Sequence, residues 1–116
     1  MSEPIVGPSG GLIIVETSVF TRQMRWMLDE ESYRLLQVEL VRRPAAGAVI
    51  PRSGGLRKIR WPGSGSGKRG GLRVIYFWHR SRSILLLLIA YEKGDREDLS
   101  PRQLRKLRAL VREEFQ

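Results

Sequence analysis

GGLRKIRWPGSGSGKRGGLRVIYFW, residues 54 to 78, is the stretch of this sequence that decides the fold. It reads as two short strands, near residues 56–61 and 72–78, joined by a loop rich in glycine and serine. Lys and Arg lie in both strands as well as in the loop. Because side chains alternate across a strand, Lys58 and Arg60 share one face of the first strand. The sequence therefore predicts a β-hairpin that carries cations beside apolar side chains.

The segments around this hairpin predict the element order β-α-α-β-β-β-α. They are a strand at 12–16, a helix at 19–28, a helix capped by Asp29 and stopped by Pro44, a strand at 84–92 and a helix capped by Ser100. Turn formers fill residues 44–55. We expect residues 1–11 to be a flexible leader and residues 12–116 to form one domain. The expected fold is α+β, with an antiparallel sheet and helices mainly on one face.

Positive charge is concentrated in the middle of the chain. The formal net charge is +9 at pH 7, and residues 40–91 hold eleven Lys and Arg side chains but no Asp or Glu. A block of one sign on this scale produces a field suited to a polyanion. Nucleic acid is the first candidate partner, an acidic protein segment the second and anionic lipid the third.

The composition argues against several classes of function. The chain has no cysteine, which excludes disulfides and thiolate metal sites and fits a reducing cytoplasm. One histidine, His79, cannot build a histidine metal site, so no metal and no cofactor is expected. The longest apolar run, residues 84–91, is far shorter than the roughly 20 residues that span a bilayer, so no transmembrane segment is expected. Nucleic acid, and no membrane, is the partner we expect. The first residues carry no secretory signal pattern.

The glycine-rich loop between the strands suggests a grip on phosphate. Glycines let backbone N–H groups approach a phosphate closely, and Lys68 and Arg69 can neutralise it. A P-loop is not formed, because Arg69 stands where Ser or Thr would hold magnesium and no helix follows. We expect Lys68 and Arg69 to grip the backbone of RNA or DNA.

Cleavage of RNA by its own 2′-hydroxyl is a reaction that suits a site built from cations. The substrate supplies the nucleophile, and guanidinium groups stabilise the extra negative charge of the phosphorane transition state. A lysine surrounded by other cations has a lowered pKa and can accept the 2′ proton. Charge alone does not separate such an endoribonuclease from a non-catalytic RNA- or DNA-binding module that uses the same hairpin.

Three runs of residues resemble a known family. GGLRKIRW (54–61), GKRGGLRVIYFW (67–78) and ILLLLIAYEKGDREDLSPRQL (84–104) are similar to the RelE/HigB superfamily of type II toxins, in particular its HigB-like branch. The similarity covers almost the whole chain, from LIIVETSVF (12–20) through DEESYRLLQVEL (29–40) to the last helix. It implies a microbial-RNase-like fold and metal-independent mRNA cleavage, commonly on translating ribosomes at the A site of the 30S subunit. It also implies a cognate antitoxin, often a helix-turn-helix protein.

The resemblance also assigns roles to individual residues. Lys58 is the candidate general base, Arg60 a phosphate contact and Arg73 a stabiliser of the transition-state phosphate. The candidate catalytic residues are Lys58, Arg60, Arg73, Tyr91 and Lys93, and the candidate RNA-binding residues are Arg57, Lys68, Arg69 and Arg96. The tyrosine that RelE members carry near the carboxy terminus is absent, since Phe115 has no phenol, and Tyr91 is expected to stack on a base instead. His79 matches no role in the family.

Overall fold

In the part of the chain that the structure describes, the fold is an open sheet of six strands with three α-helices packed on it. The computed structural model describes residues 5–6, 11–63, 71–95 and 98–115. Its elements are β1 (Ile5–Val6), β2 (Ile13–Glu16), α1 (Ser18–Met27), α2 (Glu30–Arg42), β3 (Ala48–Val49), β4 (Arg57–Trp61), β5 (Leu72–His79), β6 (Ile84–Glu92) and α3 (Pro101–Glu114). The strand order is β1-β2-β6-β5-β4-β3, with β2 parallel to β6 and the other neighbours antiparallel. Within the described ranges, no helix has the length and apolar character needed to cross a membrane.

The predicted α+β fold class and element order are confirmed. The hairpin of residues 54–78 forms β4 and β5, which pair along the whole length of β4. The structure adds a strand of two residues at each edge of the sheet, β1 and β3. The sequence predicted a connector of turn formers across 44–55, but Ala48 and Val49 pair with β4 there. The edge of β4 leaves backbone groups that an extended neighbour can satisfy.

The three helices begin at the capping residues that the sequence marks. Thr17 and Asp29 accept hydrogen bonds of 3.1 and 2.7 Å from backbone N–H groups three residues further on. Ser100 and Gln103 form a capping box at the start of α3. The first helix was expected at 19–28 and is displaced by one residue, because Thr17 rather than Ser18 is its cap.

Apolar side chains form a separate core on each face of the sheet. On one face α1 and α2 pack against the strands through Phe20, Met24, Leu36 and Leu40, which meet Ile14, Val74, Leu85 and Leu87. On the other face α3 and the segment before it contribute Leu99 and Leu107, which meet Leu56, Ile75, Leu86 and Leu88. Two of the three helices therefore lie on one face, as predicted, and α3 covers the other.

A β-bulge in β6 decides which side chains reach the face covered by α3. The register between β5 and β6 passes over Leu88, which has no partner of its own in β5. Strict alternation from Leu87 would put Tyr91 on the face covered by α1 and α2. The extra residue reverses the alternation, and Tyr91 packs in the α3 core instead.

The side chains of Thr17, the cap of α1, and of Gln23 within α1 cover the edge of β6 beyond the end of β2. The Thr17 hydroxyl donates to the Leu88 carbonyl at 2.7 Å. The Gln23 amide donates to the Ala90 carbonyl at 2.7 Å and accepts the Ala90 N–H at 2.8 Å. These contacts satisfy backbone groups that would otherwise face a missing strand.

A buried carboxylate joins β2 to both helices on its face. Glu16 is 8% exposed and accepts hydrogen bonds from the hydroxyls of Thr21 in α1 and Tyr33 in α2. Burial of Tyr33, its hydrogen bond to Glu16 and the charge of Glu16 raise the pKa of Tyr33 well above its usual value. The phenol therefore stays protonated and continues to donate to the carboxylate.

The substitution Tyr33→Phe is expected to lower the free energy of unfolding by about 2 kcal/mol, because the buried Glu16 carboxylate loses a charged hydrogen bond. Urea unfolding at neutral pH measures the change. Since the folded-state pKa lies above the ordinary value of 10.0, the wild-type contribution is present below pH 10.0 and is lost as the pH rises beyond it. The double variant with Glu16→Gln should recover part of the loss. Equal stability of Tyr33→Phe and wild type would contradict this account.

Candidate nucleic-acid interface

Three of the candidate catalytic residues lie in one row across the sheet. Arg60 of β4 pairs with Arg73 of β5, and Arg73 pairs in turn with Tyr91 of β6. Their side chains point to the face covered by α3, by alternation in β4 and β5 and through the bulge in β6. Neighbours in such a row have Cβ atoms about 5 Å apart. The row thus brings two guanidinium groups and a phenol within reach of one small anion.

The row is exposed at β4 and buried at β5 and β6. Arg60 is exposed, whereas Arg73 and Tyr91 are 5% and 6% exposed. Because removing a guanidinium from water is costly, the buried Arg73 side chain is held by interactions with the surrounding structure. A phosphate at this row would be contacted by Arg60 from the solvent side and by Arg73 from the interior.

Lys58 lies on the same face and is held by an acid from the segment before α3. Its Nζ atom is 2.9 Å from Asp98 Oδ1, with 26% of the Lys58 side chain and 77% of the Asp98 side chain exposed. Together with Tyr91, these two residues line a cavity of about 360 Å³ beside β3 and the start of α3. A cavity of this size with few polar groups is a common form of ligand site.

One wall of this cavity is fixed from the opposite face of the sheet. The Tyr76 hydroxyl donates to the Pro44 carbonyl at 2.7 Å and accepts the Gly47 N–H at 2.8 Å. Burial raises the pKa of Tyr76, which keeps the phenol protonated. A Cβ atom at Gly47 would lie 2.8 Å from the Tyr76 ring, so glycine is required at this approach. The contacts position Ala48 and Val49, which line the cavity.

Lys58, Arg60, Arg73 and Tyr91 form a cluster on one face of the sheet, and the other predicted site residues do not all lie there. Arg57 lies on the face covered by α1 and α2, where its Nη1 atom donates to the carbonyls of Ala45 and Gly47 at 3.2 and 2.7 Å. Lys93 is exposed immediately after β6, at the same end of the sheet as the row, with its N–H 3.3 Å from the Gly71 carbonyl. Lys68, Arg69 and Arg96 lie outside the described residues.

Two residues of the cavity were missed by reasoning from the sequence. Asp98 is 40 positions from Lys58, and nothing in its local pattern separates it from the neighbouring acids. Arg52 lines the same cavity with a backbone φ of +57°. Positive φ is uncommon for a non-glycine residue and often marks a functional segment, but it is not visible in the sequence.

The cluster can bind and neutralise a phosphodiester without a metal ligand set. In the described parts of the chain there is no group of three or more His, Asp or Glu side chains that could hold a metal ion. The chemistry present consists of a lysine amine, two guanidinium groups and a phenol on one face of the sheet. Guanidinium groups match the paired oxygens of a phosphate.

Two solved structures of E. coli proteins have a fold similar to that of this chain. A chain of the intact E. coli RelBE toxin–antitoxin complex has 14% sequence identity and a TM-score of 0.53, with 68% of this chain and 93% of that chain covered. A double mutant of E. coli toxin RelE in the free state has 12% identity and a TM-score of 0.55, with 84% and 94% covered. No protein-family model matches the sequence. These likenesses show a RelE-like fold.

The substitution Asp98→Asn is expected to tighten binding of short single-stranded RNA by about 2- to 5-fold at low salt, because it frees the Lys58 ammonium from its carboxylate. Fluorescence anisotropy with a labelled oligonucleotide measures the affinity. Glu113→Gln removes an equal charge from an exposed position of α3 that does not line the cavity, and serves as the control. An equal gain in both variants would mean that net charge, and not the ion pair, governs binding.

Proposed function

We propose that this protein is the toxin of a type II toxin–antitoxin system and acts as a metal-independent mRNA endoribonuclease. The observation that carries the proposal is the row of Arg60, Arg73 and Tyr91 with Lys58 beside it, on a RelE-like fold. A module that merely binds nucleic acid needs exposed cations. It does not need a guanidinium at 5% exposure, such as that of Arg73, paired across the sheet with Tyr91, which lines a cavity together with Lys58.

In the proposed reaction the 2′-oxygen of the substrate attacks the adjacent phosphorus. Lys58, as the neutral amine, takes the 2′ proton while the new O2′–P bond forms and the P–O5′ bond breaks. Arg60 and Arg73 stabilise the extra charge on the phosphorane. The products are a 2′,3′-cyclic phosphate and a 5′-hydroxyl, whose proton comes from solvent at the exposed side of the row. Tyr91 lines the cavity beside Lys58 at 6% exposure, so only the edge of its ring contacts the substrate in this proposal.

The Lys58–Asp98 ion pair gives this mechanism an off state. An ammonium paired with a carboxylate at 2.9 Å cannot act as a base. Asp98 is mostly exposed and is attached to the segment before α3, so an incoming RNA backbone can displace it by repulsion. In our proposal the substrate frees the Lys58 side chain from its carboxylate, and the ammonium then loses a proton to solvent before the amine accepts the 2′ proton.

The cellular setting of the proposed toxin follows from the resemblance to the RelE/HigB superfamily. We propose that it cuts mRNA in the A site of the 30S subunit of translating ribosomes in the cytoplasm, as a HigB-like member. We also propose that a cognate antitoxin of the helix-turn-helix class restrains it. The likeness to a chain of the RelBE toxin–antitoxin complex supports an antitoxin partner. A small helix-turn-helix reading frame beside the gene would support it further.

Lys58→Ala and Arg73→Lys are each expected to reduce cleavage of translated mRNA by about 100-fold or more, since one removes the base and the other the planar guanidinium. Mapping of cleaved 5′ ends in a translation reaction measures the activity, and growth of cells that express each variant gives a second readout. Arg73→Lys is preferred to Arg73→Ala because it keeps a charge at a buried position.

Arg22→Ala is the matched control for these variants. Arg22 is an exposed cation of α1, on the opposite face of the sheet from Lys58, and its loss should change cleavage by less than about 2-fold. If wild-type protein freed from any partner leaves translated mRNA intact and does not arrest growth, the chain is a binding module and the proposed enzyme activity is wrong.

A further inference from the structure

The cavity beside Lys58 continues as a groove along α3. A second cavity of about 380 Å³ shares Pro51, Arg52, Leu99 and Leu104 with it. A third cavity of about 510 Å³ shares Arg108 with the second and lies against the end of α3. We call these three adjacent cavities the α3 groove. It follows the line between α3 and the loop before β4.

The far end of the α3 groove is built from aromatic rings. Phe77 and His79 of β5 and Phe115 at the end of α3 line the third cavity. The rings of His79 and Phe115 have centroids 4.5 Å apart, and those of Phe77 and Phe115 are 5.8 Å apart. Such a cluster at a surface cavity offers faces and edges on which a planar base can stack.

Cations line the groove between its two ends. Arg52 and Arg105 line the second cavity, Arg108 lines the second and third, and Arg112 lines the third. Asp98, beside Lys58, is the one acidic residue among the described residues that line these three cavities. The groove thus presents a track of positive charge that leads from Lys58 to the rings.

The loop before β4, which forms the other wall of the groove, approaches Arg108 and Phe77 closely. Gly54 has a φ of +73°, and a Cβ atom there would lie 3.0 Å from Arg108 Nε. Gly55 has a φ of +101°, and a Cβ atom there would lie 3.2 Å from the Phe77 ring. Side chains at these two positions would be both strained and crowded. The shape of the groove therefore depends on glycine at both positions of this loop.

We propose that the α3 groove is an extended RNA subsite that binds nucleotides leading away from the scissile phosphate. Phosphates contact Arg105, Arg108 and Arg112, and a base enters the cavity beside Phe115 and His79. The row at Arg73 and the ring of His79 are six residues apart on β5, or about 20 Å, so one nucleotide cannot reach both. This inference rests on the proposed function, because it takes the substrate to be a single-stranded RNA.

Single-stranded RNA fits the groove better than an acidic peptide does. A nucleotide combines an anionic phosphate with a planar base, and the groove combines arginines with three rings at one end. An acidic peptide would be complementary to the arginines and would leave the rings without a matched partner. Stacking on aromatic side chains and salt-dependent contacts to cations are the two usual components of single-strand binding.

Binding of non-cleavable RNA of two lengths tests the subsite. Labelled 2′-O-methyl oligonucleotides of about 3 and about 12 nucleotides lack the attacking hydroxyl, so affinity is measured without cleavage. Wild type should bind the longer one more tightly. Phe115→Ala and Phe115→Leu should each lower the affinity for the longer oligonucleotide by about 10-fold. This loss would remove most of the difference in affinity between the two lengths. Arg108→Gln should lower the salt slope of binding by about one.

Two control variants on α3 separate the groove from the rest of the helix. Leu110→Ala truncates an exposed apolar side chain, and Arg102→Gln removes an exposed cation; neither residue lines the three cavities. Both should bind both oligonucleotides within about 2-fold of wild type. Phe115→Leu keeps an apolar side chain at the end of α3, so its loss of affinity would report the ring and not the packing of the helix.

The possible results distinguish this inference from the proposed function. If the Phe115 and Arg108 variants bind the longer RNA as wild type does, the subsite is wrong even if the protein cleaves mRNA. If they lose binding but no translated mRNA is cut by wild type, the subsite stands and the enzyme activity is wrong. If they lose binding of a poly-glutamate peptide and keep that of RNA, the groove is a protein interface and the proposal is overturned.

Discussion

The register of β4, β5 and β6 determines which side chains can meet on the face that α3 covers. Direct pairing through β5 aligns Arg60, Arg73 and Tyr91, and the passage over Leu88 turns Tyr91 to their side. A change of one residue in either pairing would send the side chains of a strand to the opposite face. The bulge therefore matters as much to the candidate site as the cations do, although it lies in an apolar segment.

The second requirement of the site is the position of α3 and of the chain that leads to it. Asp98 contacts Lys58 just before the helix begins, and Leu99 and Leu107 anchor the helix in the core beneath it. The capping box at Ser100 fixes where the helix starts. The same element thus supplies the acid that occupies Lys58 and one wall of the α3 groove. The docking of α3 therefore determines both the charge beside Lys58 and the shape of the groove.

Local patterns account for the parts of the fold that could be predicted from the sequence. Caps such as Thr17 and Ser100 act over three residues, and strand alternation already placed Lys58 and Arg60 on one face. The bulge could not be predicted, because residues 84–91 are apolar on both faces and give no register signal. Asp98 and the groove depend on how α3 docks against β3 and β4. The contact between His79 and Phe115 also depends on this docking, because the two residues are far apart in the chain.

The Gln23 amide occupies the place of a strand at Ala90, and this has a consequence for assembly. Many proteins recruit a partner by adding its strand to a free sheet edge. At this part of β6 the backbone N–H and carbonyl already bond to a side chain of α1. A partner that extended the sheet there would first have to remove a helix that is anchored in the core through Phe20 and Met24. A partner strand would therefore pair with the outer strands, β1 or β3, and not with the part of β6 that carries Tyr91.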